Sequence, residues 1–117
     1  MRTASEPEAE LMRFLLIESQ ALATPVGAAF RHDAVAQANL GHSVVLFLIQ
    51  DGVTLALPGR APELEALLEA GGRVWVDAFS LDQRGLHEAG LLSSALTTDM
   101  DAVAAAVLDP AVRVVWH

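Results

Sequence analysis

The chain has 117 residues, of which 53% are hydrophobic and 19% charged, with 15 Asp and Glu against 7 Lys and Arg, four His and no cysteine. One domain fits that length, and such a chain buries roughly two-thirds of the surface its unfolded form exposes, so one apolar core suffices without disulfide or metal staples. The missing cysteine excludes thiolate metal ligation, thiol nucleophiles and dithiol redox chemistry, while a net charge of -8 opposes nucleic acid and anionic membrane surfaces as partners, because both demand clustered cations.

Residues 1–10, MRTASEPEAE, are polar and acidic where a secretory leader is apolar. They are expected to form a flexible acidic tail on a single domain spanning residues 11–117, with a cytoplasmic address. The longest apolar run, Val44 to Ile49, falls far short of the ~20 residues a spanning helix needs. Four apolar runs without in-out alternation read as buried strands: Phe14–Ile17, Val44–Ile49, Val74–Val76 and Val112–Trp116. Helical patterns lie between them, and strands alternating with helices predict a three-layer α/β/α sandwich around a mainly parallel sheet of about five strands.

The first helix should start at Thr24-Pro25, a hydroxyl cap followed by proline in the first turn, and stop at Asn39-Leu40-Gly41. It is Ala-rich and apolar on more than one face, so it is expected to press close to the sheet or to be covered twice. Pro62 opens the second helix, with Leu64, Leu67 and Leu68 at one-face spacing, and Gly71-Gly72 ends it. A short helix over Gln83–Ala89 and a fifth strand within Leu91–Thr97 are further expectations. The last helix runs from Asp99 to Leu108, behind a Thr98 cap with Asp101 three residues on, and Asp109-Pro110 terminates it.

In an open parallel sheet, ligands bind beyond the carboxyl ends of the strands. Those ends carry Glu18-Ser19-Gln20, then Gln50-Asp51-Gly52, then Asp77-Ala78-Phe79-Ser80, and finally His117. The candidate ligand-binding set is therefore Gln50, Asp51, Asp77, Ser80 and Arg84, with Glu18 on the same edge. Asp51 also reads as a plain turn residue before glycine. Asp77 follows an apolar strand, and a buried carboxylate needs a partner. It is either a structural ion-pair partner of Arg84 or a functional carboxylate, and the only catalytic candidate. Ser80 reads as a helix cap before it reads as a nucleophile, since no base is aimed at it.

His32, His42, His87 and His117 show no three- or four-residue spacing that would set two imidazoles on one helix face, so no metal site is assigned. His42 reads as a surface turn residue at the far edge. Gly41 and Gly71-Gly72 precede strands, whereas a phosphate loop follows one and opens a helix, so no nucleotide or other cofactor is assigned. Trp75 lies in an apolar strand and is expected in the core. Trp116 is harder for a short chain to bury and suits a subunit contact.

The order of these blocks resembles a known family. Gly41-His42-Ser43-Val44 leads into Leu46-Phe47-Leu48-Ile49-Gln50-Asp51-Gly52-Val53, followed by Gly71-Gly72-Arg73-Val74, by Phe79-Ser80-Leu81-Asp82-Gln83-Arg84-Gly85-Leu86 and by a closing apolar strand. This is similar to the DsrE/DsrF-like family, which includes sulfur-relay subunits of TusD type. The resemblance covers nearly the whole chain after the acidic segment. It implies a compact α/β/α sandwich and assembly into trimers or hexamers, homomeric or with another subunit of the family. In its sulfur-relay members a cysteine just after the third strand carries a persulfide, and this sequence holds Asp77 there. The resemblance thus implies a cysteine-free member serving as an oligomeric small-ligand-binding or accessory module. Two other roles stay open: a small-molecule enzyme using Asp77 as general acid or base, and a structural subunit of a sulfur-transfer complex.

Overall fold

The computed structural model describes residues 11–21 and 24–117, so the acidic segment 1–10 lies outside the described residues. Five strands, β1 (Arg13–Glu18), β2 (Ser43–Leu48), β3 (Arg73–Asp77), β4 (Ala95–Thr98) and β5 (Val112–Trp116), form one sheet in the order β4-β3-β2-β1-β5. Every pairing is parallel. The four apolar runs are the four longer strands, and the stretch that left a fifth strand open supplies β4. The helices are α1 (Pro25–Asn39), α2 (Pro62–Glu69), α3 (Ala78–Gln83) and α4 (Met100–Leu108), with a 3-10 helix at Gln50–Ala56.

Alternation along the strands divides the core in two. Leu16, Val44, Leu46, Leu48, Val74 and Val76 face Ala34 and Ala38 of α1, Leu64 and Leu67 of α2, and Val53, Leu55 and Ala56 of the 3-10 helix. Leu15, Ile17 and Phe47 face Val103 of α4 on the other side. The first layer is thick and the second thin, since among the described residues a nine-residue helix is what covers that face. Trp75 consequently packs at the margin of the smaller cluster and stays half-buried, short of the core position expected for it.

Local chemistry explains the boundaries. Thr24 caps α1, its Oγ1 accepting from the Gly27 N–H at 3.0 Å, with Pro25 in the first turn as expected. The buried stripe of α1 is Gly27, Arg31, Ala34 and Ala38, so small side chains bring the helix near the sheet. Two boundaries and the role of one histidine differ from expectation. α3 occupies Ala78–Gln83 rather than Gln83–Ala89, because the Asp77 carboxylate caps it and Gly85, at φ 66°, takes the chain out of the helix. Asp99 rather than Thr98 caps α4, its Oδ1 accepting from the N–H groups of Asp101 and Ala102, while Thr98 ends β4. His42 is half-buried, its Nδ1 accepting from the Met12 N–H at 2.8 Å, so it fastens the start of β1 and is more than a surface turn residue.

Gly52 lets the 3-10 helix lie against the end of β1: a Cβ there would collide with the Glu18 carbonyl oxygen. Gly52→Ala is expected to lower unfolding free energy by about 1–3 kcal/mol, read as a lower urea midpoint at unchanged slope. An unshifted midpoint would show that the contact yields freely.

Candidate functional site

The site forms where β2 and β3 run out. At the end of β2, Gln50 adopts φ 51°, the left-handed region that non-glycine residues seldom enter, and this turns the chain into the 3-10 helix. The turn aims the Gln50 backbone N–H at Ser80 Oγ, 2.8 Å away. Ser80 lies in the first turn of α3, and its hydroxyl donates to Asp77 Oδ2 at 2.6 Å while its backbone N–H donates to the same oxygen at 3.0 Å. The Gln50 backbone, Ser80 and Asp77 are thereby joined in one chain of hydrogen bonds that fixes the Ser80 and Asp77 side chains. Asp77 is 5% exposed, and its other oxygen, Oδ1, is buried without a partner among the described residues.

Arg84 closes the site from the side. Its Nε and Nη2 donate to Asp51 Oδ1 at 3.1 and 3.0 Å, and its Nη1 donates to the Ser80 carbonyl at 3.2 Å. The five residues singled out in sequence, Gln50, Asp51, Asp77, Ser80 and Arg84, thus lie in one connected group. The pairing within it differs from the structural alternative for Asp77: Arg84 bonds Asp51, and the Asp77 carboxylate turns back onto the backbone N–H and hydroxyl of Ser80. Asp51 is correspondingly more than a turn residue, although its exposed ion pair adds little stability. Ser80 is the capped residue and not the cap.

Glu18 belongs to a different group. It is fully buried on the α1 side of the sheet, whereas Asp77 shares the α4 side with Arg73 and Trp75, so alternation separates two carboxylates that the sequence placed on one edge. Glu18 Oε1 accepts from Arg31 Nη1 at 2.7 Å, and Arg31 Nε donates to Glu63 Oε1 of α2 at 2.8 Å. Gly27 makes room for this pair, since a Cβ there would stand 3.3 Å from Arg31 Nη1 and 3.5 Å from Glu18 Oε1. One guanidinium serves two carboxylates. Loss of hydration pushes Glu18 up to about 7 against the pull of Arg31, and the charge of Glu63 adds to the rise. Desolvation pushes Glu63 the same way, but the Arg31 hydrogen bond and charge outweigh it and hold Glu63 below its ordinary value. Arg31 escaped the sequence reading. Its signal was its place in the Gly27, Ala34, Ala38 stripe, where a charged residue must have a partner.

Among the described residues no three His, Asp or Glu side chains gather as metal ligands, and no helix is long and apolar enough to cross a membrane.

The family model described as the DsrE/DsrF-like family matches residues 12–116. The crystal structure of the ychN protein from E. coli is similar in fold, with a TM-score of 0.82 over 92% of this chain and 100% of that one, at 19% sequence identity. No curated protein matches the chain in sequence.

The pH dependence of stability follows from the shared guanidinium. A carboxyl raised in the folded state stabilises fully below its unfolded value, 4.5, and loses that contribution as pH rises through about 7. Glu63, lowered on folding, contributes above 4.5 and loses its contribution as pH falls. Glu18→Gln should therefore gain stability relative to the parent between about pH 5 and pH 8, measured by urea unfolding across that range. Parallel curves for the two proteins would show that Glu18 does not titrate there.

Proposed function

The chain belongs to the DsrE/DsrF-like family, and we propose that it is a cysteine-free member working in the cytoplasm as an oligomeric module that holds a small ligand or partner group at Gln50, Asp51, Asp77, Ser80 and Arg84, and does not carry a persulfide. The observation behind this reading is Asp77. Where sulfur-relay relatives have a thiol, it offers a buried carboxylate with one oxygen fully bonded and the other, Oδ1, unpartnered among the described residues. Leaving such an atom without a donor costs about 1–3 kcal/mol, and a bound N–H or O–H group would remove that cost. Carboxylate oxygen forms no transferable link to sulfane sulfur, and the sequence has no cysteine to do it instead.

The oligomeric part of the proposal is supported by the thin layer. Leu96 and Trp116 share the face that α4 covers, and they are 59% and 64% exposed; Met100 and Val107 on α4 are 53% and 45% exposed. A second copy, or another subunit of the family, would cover them, and aromatic residues are enriched at such contacts. The family likeness supports trimers or hexamers as the assembly.

Three measurements test the reading. Incubation with a sulfane sulfur donor, followed by cyanolysis, should leave no transferable sulfur on the purified protein; stoichiometric loading would overturn it. Light scattering at micromolar concentration should give a multiple of the 12.4 kDa chain mass, reduced by Leu96→Glu, and a strict monomer would remove the assembly. A crystal structure of protein taken from its native cells should show a donor group other than water at Asp77 Oδ1. Water alone there would sink the ligand reading.

A further inference from the structure

Besides Asp77 Oδ1, a pair of buried, unpartnered polar atoms lies on the opposite layer. The His117 N–H donates to the Ile17 carbonyl at 2.8 Å and the Ser19 N–H donates to the His117 carbonyl at 2.9 Å. That is the parallel-ladder pattern that sets His117 directly beside Glu18, so both side chains stand on the α1 face, their backbones one strand spacing of about 4.8 Å apart. Glu18 Oε2 and His117 Nε2 are each buried without a partner among the described residues. Two residues back along the same face lie Leu16 and Val115, which with Phe14, Phe30, Asp33 and Gln37 line a cleft of about 210 Å³ between α1 and the β1–β5 edge. Phe30 joins the two features: it lines the cleft, and its ring lies 5.1 Å from the His117 imidazole.

Charge decides what the cleft takes. Glu18 and Glu63 share the single cation Arg31, and Asp33 adds a further carboxylate at the cleft wall. With Glu18 ionised, an anionic head would enter a site short of positive charge and a neutral head would leave that shortage in place, whereas a cation relieves it. We propose that this cleft binds a small organic ammonium ion, its apolar body against Phe14, Leu16, Phe30 and Val115 and its N–H groups donating to Glu18 Oε2 and His117 Nε2. The added cation balances the second carboxylate, so binding expels the proton Glu18 otherwise holds below about pH 7. Of the charged or titratable groups here, Asp33 lines the cleft, Glu18 and His117 stand two residues beyond its Leu16 and Val115, and Arg31 and Glu63 follow through Glu18, with His32 acting on Glu63.

The test uses the full chain and hexylamine, with hexanol and hexanoate as neutral and anionic probes of the same body. Amide NMR titration should show saturable shifts at Leu16, Phe30 and Val115 for hexylamine only. Calorimetry in buffers of different ionisation enthalpy should record about one proton released per site at about pH 6 and little at about pH 8.5. Glu18→Gln should weaken hexylamine at least tenfold. Val115→Trp, which fills the cleft from a half-open edge strand, should abolish binding and covers the case in which Glu18→Gln fails to fold. Asp77→Asn should leave hexylamine binding unchanged, so failure here is separate from failure at the Asp77 site. Equal binding of hexanol, undiminished binding by Glu18→Gln or Val115→Trp, or no saturable shift would overturn the proposal.

Discussion

A carboxylate taken out of water must be given donors, a counter-charge or a proton, and this sheet takes two of them out of water at the same edge. Both are terminal strand residues: Glu18 closes β1 and Asp77 closes β3. Because all five strands run parallel, the polar residues that close β1 and β3 come to one rim, where the loops diverge. The apolar strands drive folding, and the rim inherits the electrostatic problem. The two carboxylates solve it differently. Asp77 spends one oxygen on the first turn of α3 and on the Ser80 hydroxyl, which makes it part of the backbone architecture. Glu18 draws a cation from α1 and shares it with α2, which makes it part of the packing between layers.

That shared cation ties the α1 layer together more than it stabilises it. A buried ion pair regains little beyond its desolvation cost, yet removal of one partner leaves an uncompensated charge. Arg31 thus fixes the orientation of α1 relative to both β1 and α2, while the small residues Gly27, Ala34 and Ala38 fix its distance from the sheet. The combination explains why an Ala-rich helix, with few bulky side chains to key it in place, holds one rotational setting. Phe30 lies just off that stripe, so it reaches the β1–β5 edge and leaves the cleft beside it.

The parts of the fold set by hydrophobic period were legible in sequence: the apolar strand runs, the Thr24-Pro25 start of α1 and the Pro62 start of α2 follow from residue type alone. The boundaries that went astray were those where two capping groups compete within a few residues. Asp77 and Ser80 both suit the start of α3, and Thr98 and Asp99 both suit the start of α4; the choice rests on backbone directions that arise from strand ends. The site was half legible. Strand ends gave Gln50, Asp51, Asp77, Ser80 and Arg84, but partner choice depends on three-dimensional reach, so Arg84 was weighed against the wrong carboxylate. Arg31 and its two partners come from β1, α1 and α2, and no local window contains all three.

Alternation along the strands has a last consequence for chemistry. Glu18 lies on the side packed by α1 and Asp77 on the side of α4, with a layer of backbone between them, so one ligand does not span both unpartnered oxygens. Asp77 is bonded to Ser80, which in turn bonds the strained Gln50 turn and, through its carbonyl, Arg84, surroundings that hold an acceptor still. A sulfur carrier needs the reverse, a soft nucleophile that leaves its resting contacts to meet another protein. Asp77, pinned through Oδ2 by two donors from Ser80, has no such freedom. On the proposed reading, oxygen in place of sulfur changes the mobility of the position as well as its reactivity, and both changes favour holding over handing on.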